Sequence, residues 1–168
     1  MNSLRRACVV LTAAAGLGFA LVPVASADSL QTVDYTSEDG AWPLQGSAHY
    51  AGPGDEVRVW VSREILKVDV QSGFRDLRVE MSPPAGETLH TGTYSGARYR
   101  WSEDPATDVP GFLVVSGSFG CGDDYAEFTL DRLDRAADGS VTGLDATFVQ
   151  RCGAPDGPAT RGEVHFDA

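Results

Sequence analysis

FLVVSGSFGC at 112–121, EFTLDRL at 127–133, VTGLDATFVQRC at 141–152 and GEVHF at 162–166 decide the fold. Apolar residues alternate along these segments with a period of two, as in strands with one buried face. Phe128 and Leu130 share a face, as do Leu144, Ala146, Phe148, Gln150 and Cys152. In the last segment Val164 and Phe166 turn inward, with Glu163 and His165 outward. By the same parity Phe119 and Cys121 are both expected inward. Asp138-Gly139 between the second and third segments is a hairpin signal, because both residues tolerate positive φ. Gln150, inward beside Phe148 and Cys152, is expected to satisfy backbone groups through its amide.

The alternation continues upstream. Val57, Val59 and Val61 face one way and Arg58, Trp60 and Ser62 the other. Val68 and Val70, then Leu77, Val79 and Met81, form the next apolar faces. Ser82-Pro83-Pro84-Ala85-Gly86 ends that run, since proline removes a ladder donor. Residues 91–95 and 97–101 flank Gly96 and read as paired strands, followed by a polar loop at 102–111. Shorter strands are expected at 30–35 and 47–50. No stretch sustains a helical period. Roughly ten short strands with frequent turns predict an all-β antiparallel β-sandwich, with a β-barrel as the alternative.

The N-terminus reads as an address. Arg5-Arg6, an apolar run and Ala25-Ser26-Ala27 make a secretory signal peptide over 1–27, leaving 28–168 as one secreted β domain. Cys8 leaves with the signal. Cys121 and Cys152 remain, an even pair in an oxidising compartment, and a disulfide between them is expected. Beyond the signal lie 24 acidic and 11 basic residues, a net charge of −13. That charge argues against nucleic acid and anionic membranes as partners. A monomer acting outside the cell on a protein or a glycan is the expectation.

From Pro110 onward the motifs resemble a known family. PGFLVVSGSFGC, EFTLDRL, DGSVTGLDATFVQRC and GEVHF are similar to small secreted β-sandwich domains of high-GC Gram-positive bacteria. Their pattern is a Pro-Gly-aliphatic strand, a Gly-Cys corner, Phe-x-Leu, Phe-x-Gln-x-Cys and a closing Gly-x-aliphatic-x-aromatic strand. PPAGETLHTGTY at 83–94 resembles an upstream segment of the same family. That family has no assigned activity, so the resemblance implies a fold and a disulfide, without a reaction. Gly122 departs from it, standing where a polar residue often follows the first cysteine. The region 63–75 has no counterpart.

The candidate ligand residues are aromatic. Trp60 lies opposite three inward valines, Trp42 lies in a turn-rich loop, and Tyr99 and Trp101 share a face. Tryptophan rings form stacking platforms in binding modules, and they also pack in cores. No cofactor is expected. Calcium is the one candidate ion, at Asp123 and Asp124 or at Asp104 and Asp108, although no spacing matches an EF-hand. No G-x-S-x-G or H-E-x-x-H pattern occurs, and His49, His90 and His165 lie far apart in sequence. The expected function is a non-catalytic binding or interaction protein. A carbohydrate-binding module on Trp60 or Trp42 is the alternative, and a small secreted hydrolase the second alternative.

Overall fold

A computed structural model describes residues 31–52, 54–73, 75–101 and 105–168. The expected signal peptide, and Asp104 among the calcium candidates, lie outside them. Among the described residues eleven strands follow in order. They are β1 (Gln31–Ser37), β2 (Ser47–Ala51), β3 (Glu56–Ser62), β4 (Ile65–Ser72), β5 (Arg75–Ser82) and β6 (Gly92–Tyr99). Then come β7 (Gly111–Ser116), β8 (Phe119–Gly120), β9 (Asp124–Arg135), β10 (Val141–Cys152) and β11 (Ala159–Asp167).

The fold is all-β with a Cys121–Cys152 disulfide. Its strands form one sheet in the order β2-β1-β11-β10-β9-β6-β7-β5-β4-β3, with β8 hydrogen-bonded to β7. The sheet curls into a half-barrel, so both walls of the core belong to one continuous ladder. Every neighbouring pair is antiparallel except β6–β7. A parallel pair needs a crossover, which explains the long polar connection between those two strands. Long strands carry the curl. β9 and β10 have 12 residues each, and their register shifts near Gly143 and again after Asp145, where bulges add twist and bend.

The core is centred on aromatic rings from adjacent strands. Phe112 lies 5.3 Å from Phe148 and 6.2 Å from Phe128, and Tyr94 stacks on Phe128 at 4.6 Å. Phe148 lies over Gly162, its partner on β11; a Cβ at Gly162 would sit 2.1 Å from the ring. Glycine there is a packing requirement. Each fully buried phenylalanine contributes about 1.5–3 kcal/mol of apolar burial.

The inward faces expected on β3, β4, β5, β9, β10 and β11 are observed. Two expectations fail. Residues 91–101 are not a hairpin, because Gly92–Tyr99 is a single strand with a bulge. Tyr94 pairs with Phe128 and Ala97 with Ala126, so Ser95 and Gly96 together oppose Glu127. Gly96 takes φ 70°, which lets the extra residue fit and turns both Tyr94 and Ala97 inward. Phe119 is also not inward; it is 60% exposed while Cys121 is 1% exposed. β8 has only two residues, and the chain leaves the pleat before Cys121, so strand parity does not carry across.

Candidate functional site

The loop between β1 and β2 builds the site. It closes through Ser37 N–H to Gly46 O at 2.7 Å and Ala41 N–H to Glu38 O at 3.0 Å. Ala41, Pro43 and Leu44 are buried, which anchors the loop and pushes Trp42 to the surface between them, 39% exposed. Gln150 Nε2 donates to the Trp42 carbonyl at 3.1 Å, and the Trp42 indole Nε1–H donates to Gly120 O at 3.1 Å. The backbone role expected for Gln150 is thus observed, and Trp42 is held both at its main-chain carbonyl and at its indole N–H.

Gly120 and Cys121 bring β8 beside this loop. Trp42 meets the Phe119 ring edge-on, with centroids 5.4 Å apart and planes at 70°. Both rings line a cleft of about 730 Å3. Tyr35 and Tyr50 from β1 and β2 line it, together with Arg75 and Asp76 of β5 and Ser116 of β7. Tyr35 and Tyr50 are themselves a tilted pair at 6.4 Å. Burial, with Tyr35 beside it, raises the Tyr50 pKa, so the phenol stays a neutral donor.

The support beneath Trp42 is polar and dry. Gln150 Nε2 also donates to Asp124 Oδ1 at 2.7 Å. Asp124 pairs with Cys152 across β9–β10, and Cys152 is bonded to Cys121. A closed circuit therefore runs from Trp42 through Gln150, Asp124, the disulfide and Gly120 back to Trp42. Burial pushes the Asp124 carboxyl up to about 7; the Gln150 hydrogen bond opposes the shift and the Asp123 charge adds to it.

A second groove of about 320 Å3 lies on the other side of the β7–β8 hairpin. Tyr99, Trp101, Leu113 and Val115 line it with Gly120 and Cys121. The structure therefore brings Trp42, Tyr99 and Trp101 around one hairpin. Trp60 is elsewhere: it is half-buried on β3, opposite Lys67, whose ammonium lies 3.3 Å from the buried Glu80 carboxylate. Sequence reasoning missed Phe119, Tyr35, Tyr50 and Arg75, since they converge from strands far apart in the chain.

Among the described residues the acidic candidates do not gather. Asp123 is exposed while its neighbour Asp124 is buried, and Asp108 lies in an exposed loop. Asp138 accepts from Ser140 at the β9–β10 turn, which lowers its pKa. Among the described residues no group of three or more His, Cys, Asp or Glu side chains is placed to hold a metal ion. The histidines do have partners, supplied by strand register. His49 meets Asp34 across β1–β2, and His165 meets Asp145 across β10–β11. Arg132 then ties three strands, donating to Asp145 at 2.6 Å and Asp167 at 2.7 Å.

In the main cleft Asp76 is the one carboxylate among the described lining residues, and Arg75 stands next to it. Such a surface suits contact by ring faces with hydrogen bonds at the margins. No family model, no curated protein and no solved structure matches the chain.

Proposed function

We propose that the chain is a non-catalytic binding module that takes its ligand in the cleft between the Trp42–Phe119 pair and the Tyr35–Tyr50 pair. The observation that carries this reading is the edge-on contact of two exposed rings over a cleft of about 730 Å3. Exposed neighbouring apolar rings carry a hydration cost that a bound partner removes. Because the Trp42 N–H is already engaged by Gly120 O, the indole offers its π surface to a ligand. The expected secretion of the chain and its resemblance to domains without an assigned reaction fit the same role.

The test is a mixed panel of oligosaccharides, peptides and amphipathic small molecules, screened by melting shift and titrated by calorimetry. Trp42→Ala and Phe119→Ala are the control variants. A true ligand loses about tenfold or more in affinity in Trp42→Ala, as for a central aromatic anchor. If every ligand found binds both variants as it binds the wild type, the cleft is not the site.

A further inference from the structure

Resting on that binding role, we infer that the ligand is a linear neutral glycan that crosses the β7–β8 hairpin, with one unit against Trp42 and Phe119 and the next units in the Tyr99–Trp101 groove. The hairpin is a shared wall: Ser116, Gly117 and Phe119 line the first cleft, and Gly117, Ser118 and Gly120 line the second. The ridge between them is low. Gly117 has no side chain, and the space a Cβ there would fill is open. Gly120 O accepts the Trp42 indole hydrogen bond while Gly120 itself lines the second groove, so the two ring sets are tied through one residue.

Charge selects the chemistry. Arg75 and Asp76, consecutive on β5, give the first cleft one charge of each sign, and the residues lining the second carry no charge. The chain as a whole has a net charge of −11, which repels polyanions. A cationic peptide would need carboxylates in the grooves in excess of Arg75, and Asp76 alone does not supply them. What remains is polar amide and hydroxyl groups, Gln45, Ser47, Ser116 and the tyrosine phenols, beside aromatic faces. That mixture matches a sugar, whose C–H face is apolar and whose rim is hydroxyl. Two adjoining ring-lined sites match a chain of sugars, with the second contact intramolecular once the first forms.

The experiment is calorimetry with neutral gluco-, manno-, xylo- and galacto-oligosaccharide ladders of one to six units. For one ladder the affinity climbs about tenfold between two and five units in the wild type. Trp101→Ala flattens that climb and keeps the affinity for short members, whereas Trp42→Ala removes binding of all members. Trp101→Phe, which keeps a ring, restores part of the climb and guards against a folding defect in the alanine variant. The inference is overturned if no ladder binds, if affinity does not rise with length, or if Trp101→Ala leaves the rise intact. A peptide or small molecule that depends on Trp42 would overturn the glycan while leaving the binding role in place. Absence of any Trp42-dependent ligand would overturn both.

Discussion

Gln150 Nε2 donates to Asp124 Oδ1 at 2.7 Å inside a fully buried contact, and among the described residues neither Asp124 Oδ2 nor Gln150 Oε1 has a hydrogen-bond partner. Two buried acceptors without a donor are costly. Burial favours the neutral, protonated Asp124 carboxyl and is the chief reason it is held at about 7, with the Gln150 hydrogen bond opposing and the Asp123 charge adding.

Stability therefore falls between about pH 4 and pH 7. The unfolded chain releases the Asp124 proton near 3.8 and the folded chain near 7. The contribution is full below the lower value, is lost as pH rises through the upper one, and is flat beyond. The gap corresponds to about 4 kcal/mol. Urea melts from pH 4 to pH 8 on wild type and Asp124→Asn check it. The variant loses this component and is the more stable protein at pH 8; parallel profiles would refute the buried proton.

The disulfide sits under the same site. Its cysteines are 31 residues apart, and Cys121 is 1% exposed. Replacing both by serine is expected to remove about 3–4 kcal/mol of stability on the loop-entropy account. Native labelling of Cys121 with a thiol reagent under mild reductant stays slow, because that residue is buried while Cys152 is only half-buried. Rapid native labelling at the unfolded-state rate would contradict the buried position.

Gly162→Ala introduces a methyl 2.1 Å from the Phe148 ring. The expected loss is about 1–3 kcal/mol by overpacking. Phe148→Leu alone also destabilises, yet the double variant loses less than the sum of the two. Additive losses in denaturant melts would mean that the ring and the glycine are not coupled.

The His165 imidazole is raised above its ordinary value by its hydrogen bond to Asp145, with Glu163 adding to the effect and burial opposing it. Its stabilising contribution is complete below the ordinary histidine range and disappears as pH rises through the raised value. NMR titration of the ring is expected to show the elevated midpoint, and Asp145→Asn to lower it. An unchanged midpoint in the variant would remove Asp145 as the cause.

Trp60→Ala serves as the opposite control. Trp60 on β3 pairs with Lys67 of β4 and does not line the main cleft. Ligand titrations are expected to match wild type, with at most a modest loss in melting temperature. A Trp60-dependent affinity would move the ligand surface to the far flank of the sheet.

Much of the fold was legible in the chain because strand parity is a local property. Val57 to Val70, Leu77 to Met81, Phe128 to Leu130 and Leu144 to Phe148 each show which side faces the core within a few residues. The inward Gln150 was legible for the same reason, and the cysteine pair from the even count left beyond the expected signal. Phe119 was misread because a two-residue strand has no parity to enforce. Gly96 was misread because a bulge and a turn both call for a glycine at positive φ.

The sequence by itself determined the strand class, the inward faces, the staple and the acidic charge, since each depends on neighbours in the chain or on composition. Only the tertiary structure decided that the sheet is continuous and curled, that Trp42 and not Trp60 lines the main cleft, and that His165 has a carboxylate partner. Those outcomes depend on which strands become neighbours. β1, the β7–β8 hairpin and β10 are distant in sequence, and the curl of one sheet brings them together around a single pair of rings.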